Sequence, residues 1–182
     1  MVEKASRRYI ALLRGINVGG NNIIRMADLK QSFEELGFSE VTTYIQSGNV
    51  LFNSSEGDKQ LLTGKIEAHL SERFAYQSKI VLVTQDQLRQ IVESAPQGFG
   101  EEPGEYRYNV LFLKEPLTAE EAMQSITIRE GVDRVWAGEE VLYFSVLTSR
   151  ATQSRLSRIV GQPIYQWISI RNWNTTTKMT TM

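Results

Sequence analysis

The chain of 182 residues contains no cysteine and a single histidine, His69. The absence of cysteine excludes disulfide bonds, thiolate zinc sites and a cysteine nucleophile. One histidine without cysteine partners cannot form a conventional zinc site, so we predict no metal site. No apolar run approaches the roughly 20 residues that a membrane-spanning helix requires, and residues 1–8 lack the apolar core of a signal peptide. We therefore expect a cytoplasmic protein with no membrane partner.

The composition is that of an ordinary globular protein, with 41% hydrophobic and 23% charged residues. A compact fold of this length buries roughly 70% of the surface of its unfolded chain, which suffices for a conventional core. The length fits one medium domain or two small ones.

Positive charge is concentrated at the two ends of the sequence. Residues 1–27 carry a net charge of +4 and residues 150–182 carry +5, so the segment between them carries −10 within an overall charge of −1. If the two ends meet, they form a positive region suited to an anionic partner. Alternatively the basic residues are scattered, with Lys4, Arg7 and Arg8 in a frayed tail.

The first half of the sequence predicts the element order β-α-β-β-α-β. Apolar or β-branched runs indicate strands, apolar residues three or four positions apart indicate helices, and Ser47-Gly48 is typical of a hairpin turn. The predicted elements are a strand at 9–13, a helix ended by Gly37, strands at 41–46 and 49–52, a helix through Leu62, Ile66 and Leu70, and a strand at 80–83.

The second half repeats this order. Its predicted elements are a strand at 109–113, a helix at 119–125, strands at 132–136 and 141–146 around Gly138, a helix at 150–160 and a strand at 165–170. This is the split β-α-β pattern of ferredoxin-like folds, or α–β plaits. We predict an α+β protein with two tandem ferredoxin-like (βαββαβ) units and antiparallel sheets: 7–84, a connecting helix and linker at 85–105, and 106–182.

The strands YIALL and NVLFL are apolar on both faces. A ferredoxin-like sheet carries helices on one face only, so we expect both strands to be central and buried, with their second face covered by the other unit or by a partner in a homodimer.

Two similar motifs follow strands near the two ends of the chain. Arg14–Asn22 reads RGINVGGNN and Arg171–Lys178 reads RNWNTTTK. Glycine backbone N–H groups and arginine or asparagine side chains can surround an anion. Alternatively, Gly19 and Gly20 only supply the positive φ of a tight turn.

The C-terminal motif also contains helix-capping residues. Asn174 or Thr175 is expected to cap a helix within the threonine run, and the N-terminus of that helix would attract an anion. Trp173 is expected to anchor a core or an interface rather than to stack on a base.

No catalytic signature accompanies these motifs. His69 lies at the edge of a helix stripe, the acidic residues around 101–105 lie in the linker, and Ser47 has no base at a recognisable spacing. The sequence therefore assigns no reaction, leaves open whether the protein is an enzyme, and identifies no cofactor.

The segments LLRGINVGGNN, MADLKQSFEELGF, TYIQSGNVLF and RNWNTTTK resemble a bacterial family, domain-of-unknown-function family 1697. The resemblance spans nearly the whole chain. It implies two tandem ferredoxin-like units and supplies no activity, cofactor or catalytic residue.

Three functions remain as alternatives. The first is binding of a small anionic ligand, a nucleotide or phosphorylated metabolite, where the two motifs converge. The second is nucleic-acid binding through Tyr9 and Phe52 or Phe112 and Tyr143, although the RNA-recognition signature is not matched. The third is a structural or oligomeric scaffold without a ligand. The residues predicted for the anion site are Arg14, Asn17, Gly19, Gly20, Asn22, Arg171, Asn172, Asn174, Thr175 and Lys178.

Overall fold

The computed structural model describes residues 4–182. Residues 1–3 lie outside the described residues, and they are part of the segment 1–8 that lacks a signal-peptide core and of the positively charged segment 1–27. The chain divides into two compact units, one containing the chain up to Gln85 together with Met182 and the other comprising Asp86–Thr181. Between residues 4 and 182, no helix is both long and apolar enough to cross a membrane.

The first unit is a four-stranded antiparallel sheet with two helices. The strand order is β2-β3-β1-β4, so β1 lies in the interior of the sheet. Its elements are β1 (Arg7–Leu13), α1 (Met26–Glu35), β2 (Ser39–Tyr44), β3 (Asn49–Ser54), α2 (Lys59–Phe74) and β4 (Ile80–Thr84).

Both helices of the first unit bury one face against the sheet. The Asp58 side chain accepts hydrogen bonds from two backbone N–H groups and thereby starts α2, a helix of 16 residues. Leu62, Ile66 and Leu70 of α2 pack in one cluster with Tyr9 of β1, whose ring is fully buried. A long second helix therefore closes this side of the first sheet.

The second unit contains the same order of strands, preceded by an additional helix. The sheet order is β6-β7-β5-β8, with β5 in the interior. Its elements are α3 (Gln85–Glu93), β5 (Tyr106–Leu113), α4 (Ala119–Ser125), β6 (Asp133–Ala137), β7 (Val141–Leu147), α5 (Leu156–Ile159), β8 (Ile168–Asn172) and α6 (Trp173–Met179), with 3₁₀ helices at Thr148–Gln153 and Pro163–Trp167. Two tandem βαββαβ-like units with antiparallel sheets are thereby confirmed.

The two central strands are buried as predicted. Ile10 and Leu12 of β1 and Leu111 of β5 have no exposed surface. In the second unit, part of the cover comes from residues 86–105 of the same unit, which the sequence did not indicate: the ring of Phe99 makes edge contacts with Tyr108 and Tyr143 of the sheet.

The frayed-tail interpretation of the N-terminus is wrong for Arg7 and Arg8. Both residues belong to β1. Arg8 Nη1 donates hydrogen bonds to Asn53 Oδ1 at 3.0 Å and to the carbonyl oxygen of Glu40 at 3.1 Å. Pairing with β3 therefore orders this end of the strand.

The predicted helix at 150–160 is also wrong. Arg150 has non-helical dihedral angles inside the 3₁₀ segment, and α5 has only four residues. The Arg155 N–H donates to Asp133 Oδ2 at 2.9 Å and the Leu156 N–H donates to Ser154 Oγ at 3.1 Å. These side-chain acceptors compete with helical hydrogen bonding. The last strand likewise begins later than predicted, because Pro163 starts a 3₁₀ helix.

Candidate functional site

The N-terminal motif forms a loop that its own side chains hold in place. Asn17 Nδ2 donates to the carbonyl oxygens of Ile24 at 3.1 Å and Gln46 at 2.9 Å, and Asn17 Oδ1 accepts from the Ile24 N–H at 2.8 Å. Both amide hydrogens of Asn17 are therefore used inside the protein. Asn17 joins the loop to the β2–β3 turn, and this structural role accounts for an asparagine there.

The other polar residue of this loop has a similar role. Asn22 Nδ2 donates to the carbonyl oxygen of Gly15 at 2.8 Å. Gly19 and Gly20 have φ of 58° and 77° and are exposed. Positive φ explains these two glycines without a ligand. Arg14, which follows β1, is half-buried.

The C-terminal motif is a capped helix of two turns. Asn172 Oδ1 accepts from the Thr175 N–H at 2.7 Å, so the N-cap of α6 is Asn172, and the prediction of Asn174 or Thr175 is wrong. The carbonyl oxygen of Asn172 also accepts from Thr176 Oγ1 at 2.9 Å. Because β8 runs directly into α6, the residue at the junction takes the cap.

The side chain of Arg171 is buried. It is 7% exposed, and its Nη1 donates to the carbonyl oxygen of Ile170 at 2.8 Å. Burial lowers the pKa of the Arg171 guanidinium to about 10, which leaves it charged at neutral pH. Thr175 is buried as well, whereas Asn174 and Lys178 are exposed.

A pocket of about 600 Å³ lies within the second unit beside the C-terminal motif. Two of the predicted site residues, Asn172 and Asn174, line it together with Trp173. The remaining lining comes from the loop before β5, from β5 itself, from β7 and β8, and from the broken helical segment: Gly100, Pro103, Tyr106, Arg107, Tyr108, Asn109, Val146, Ala151, Ser154, Leu156, Ser157, Val160 and Ile170.

The internal repeat explains why the second unit has this space. Tyr9 pairs with Phe52, and Asn109 pairs with Phe144, at matching positions of the two sheets. Tyr9 fills its position with a ring that packs in one cluster with α2, whereas Asn109 is smaller and lines the pocket together with residues of the broken segment that replaces a long helix. The smaller side chain and the shortened helix together leave a cavity.

Two polar side chains of the pocket are available to a ligand. Within residues 4–182, the guanidinium of Arg107 and the side-chain amide of Asn109 make no hydrogen bond or ion pair. Arg107 is exposed and Asn109 is half-buried. Both precede apolar β5 residues, and neither was predicted as a site residue. A comparison of NVLFL with YIALL, with Asn109 set against Tyr9, is the sequence signal that could have found the pocket.

Aromatic side chains form the rim of the pocket on the side of residues 99–108. The ring of Trp173 makes an edge contact with Phe99, at 5.0 Å between centroids, and lies close against Gly100. Tyr108 Oη accepts a hydrogen bond from the Glu102 N–H at 3.2 Å. The rim is therefore held by contacts that do not involve a ligand.

The sequence profile of a family described as "Protein of unknown function (DUF1697)" matches residues 7–143. The chain belongs to this family. None of the curated proteins matches the chain. Among solved structures, a conserved bacterial protein of Streptococcus pneumoniae, SP0830, is similar, with 26% identity and a TM-score of 0.85 over 97% of this chain and 98% of that one.

The DUF1697 match ends at residue 143, before the C-terminal motif. It therefore includes Arg107 and Asn109, whereas the pocket residues from Val146 onward lie outside the matched range. The N-terminal motif of this DUF1697 protein lies in the first unit and the C-terminal motif in the second. Their convergence in one cleft stays a prediction.

The single histidine of this DUF1697 protein belongs to a surface cluster in the first unit. His69 Nε2 lies 3.2 Å from Glu35 Oε2, and Arg73 Nη1 donates to Glu35 Oε1 at 2.6 Å. These bonds join α2 to α1. In the part of the chain from residue 4 onward, no group of three or more histidine, aspartate or glutamate side chains is arranged to hold a metal ion.

Proposed function

We propose that the protein binds a small anionic ligand, a nucleotide or a phosphorylated metabolite, in the pocket of the second unit. The observation that carries this proposal is the presence of a free arginine and a free amide, Arg107 and Asn109, in a cavity of about 600 Å³. Ligand sites typically have volumes of about 300–1,000 Å³ with mostly apolar walls and a few polar groups.

The charge around the pocket favours an anion. Residues 150–182, which supply the broken segment, β8 and α6, contain five basic residues and no acidic one. Arg107 adds a positive charge from β5, and a guanidinium binds carboxylate or phosphate oxygens through two parallel hydrogen bonds. Glu101, Glu102 and Glu105 precede β5 and reduce the positive electrostatic potential around the pocket. We therefore assign the contact with the anion to the guanidinium of Arg107 and not to the summed charge of the basic residues.

The residues of the C-terminal motif contribute in different ways under this proposal. Asn174, exposed in the first turn of α6, offers its side chain at the pocket edge. Asn172 holds the start of α6 through its cap. Arg171 and Thr175 are buried and act as structural residues. Arg14 remains the test residue for the predicted convergence of the two motifs.

The aromatic rings that the nucleic-acid alternative needs for base stacking are buried. Tyr9, Phe52 and Phe112 have no exposed surface, and Tyr143 is 2% exposed. RNA-recognition sheets stack bases on exposed aromatic rings of their central strands. The scaffold and homodimer alternatives stay predictions that a measurement of oligomeric state tests.

The test is a binding titration by calorimetry with AMP, ribose 5-phosphate and inorganic phosphate, and with a single-stranded oligonucleotide at several salt concentrations. We expect a small anion to bind and Arg107→Met to weaken it. Arg129→Met is the matched control, because Arg129 is exposed, carries the same charge and does not line the pocket. Equal effects of the two substitutions, or binding of the oligonucleotide alone, would contradict the proposal. A loss with Arg14→Ala would add the first motif to the site.

A further inference from the structure

We infer that the ligand is a nucleoside phosphate, with its base against Asn109 and its phosphate at Arg107. This inference rests on the proposed function and selects one of its two ligand classes. Its first support is the fully buried ring of Tyr9 at the matching position of the first unit. The same architecture therefore accommodates a planar ring at this place, where the second unit has the smaller side chain of Asn109.

The apolar part of the pocket lining offers a packing surface for a flat ring. Val146, Leu156, Val160 and Ile170 line the pocket on the sheet and on the broken segment. An aromatic base buries apolar surface against these side chains, whereas a sugar has little apolar surface to bury there.

The Asn109 side chain matches the edge of a base. Its amide presents one acceptor and two donor hydrogens, and an asparagine amide pairs with adjacent donor and acceptor groups such as N6 and N7 of adenine. Because this half-buried amide makes no hydrogen bond within residues 4–182, a base would satisfy groups that are otherwise without a protein partner.

The spacing of the two polar residues fits a base joined to a phosphate. Arg107 and Asn109 are two positions apart on β5 and therefore on the same face of the sheet, with about 7 Å between their Cα atoms. Arg107 is exposed, whereas Asn109 is half-buried. The phosphate thus stays near solvent and the base lies inside.

The experiment compares AMP, adenosine, ribose 5-phosphate and inorganic phosphate on the full chain with the Asn109→Leu and Arg107→Met variants. AMP is expected to bind most tightly. Asn109→Leu, which keeps the branched shape and the number of side-chain heavy atoms but removes the amide, is expected to weaken AMP about tenfold and to leave ribose 5-phosphate unchanged. Arg107→Met is expected to weaken AMP and ribose 5-phosphate and to leave adenosine unchanged.

The outcomes separate the two proposals. If ribose 5-phosphate binds as tightly as AMP, or if Asn109→Leu leaves the preference for AMP intact, the assignment of the base is wrong while anion binding stands. If none of the four compounds binds the wild-type protein, both proposals are overturned. Asn109→Ala provides a second variant should the leucine prevent folding, which circular dichroism and thermal unfolding detect.

Discussion

The hydroxyl of Tyr143 donates a 2.5 Å hydrogen bond to the backbone carbonyl oxygen of Ile91. Tyr143 is in β7 and Ile91 is in the last turn of α3, where carbonyl groups lack helical partners. The bond fastens residues 86–105 to the sheet of the second unit. Burial of the ring raises the pKa of Tyr143 to about 12, because it disfavours the phenolate.

This burial predicts a loss of stability at alkaline pH. An unfolded tyrosine ionises near pH 10, so the contribution of the neutral hydroxyl is complete below pH 10 and is lost as the pH rises from 10 to about 12. The free energy of unfolding should fall by about 2 kcal/mol over this window. Other groups titrate there too, so the measurement is the difference between wild type and Tyr143→Phe in urea titrations at pH 8, 10 and 12. Parallel pH dependence in the two proteins would refute this assignment.

Gly100→Ala should destabilise the second unit and disturb the pocket rim. A Cβ at position 100 would lie 2.7 Å from Cδ1 of Trp173, and φ is +85°. We expect a loss of about 2–5 kcal/mol from overpacking and positive φ together. Gly98→Ala is the control, because Gly98 has φ of +81° and no atom within 4 Å of the added Cβ. Thermal unfolding should show the larger loss in Gly100→Ala, and equal losses would mean that the Trp173 contact contributes nothing.

Asn17→Ala should loosen the N-terminal loop. The substitution removes three hydrogen bonds and places alanine at φ of 53°. We expect a loss of about 2–4 kcal/mol in the free energy of unfolding. Asn17→Gly, which removes the bonds but tolerates the dihedral angle, should lose about 1 kcal/mol less. Exposed Asn21→Ala is the neutral control. If exchange of the amide hydrogens at 15–24 is unchanged in Asn17→Ala, these bonds do not hold the loop.

Asn109→Tyr should close the pocket with the residue that the first unit has at the matching position. We expect binding of AMP to be lost and the free energy of unfolding to stay equal or to rise by up to about 2 kcal/mol, because the ring buries apolar surface. Calorimetry and urea unfolding measure the two effects. Retained AMP affinity in a folded Asn109→Tyr protein would show that the ligand binds elsewhere.

Local patterns in the sequence were enough to predict the strands and the fold class. The apolar runs at 9–13 and 109–113 and the hairpins around Gly48 and Gly138 are signals that involve only neighbouring residues. The prediction of a helix at 150–160 was wrong because the break in this segment involves a contact between residues distant in sequence. Its break depends on Asp133, a residue distant in sequence whose carboxylate accepts the Arg155 N–H.

The candidate site was likewise predicted only in part from the sequence. The sequence indicated the Asn172–Asn174 region because polar residues follow a strand there, but it did not identify Arg107 or Asn109 inside β5. The order of the elements along the chain and the internal repeat were determined by local hydrophobic periodicity and turn residues. The burial of Arg171 and the cavity beside Asn109 were decided only by tertiary structure, because each depends on how much space side chains distant in sequence leave around it.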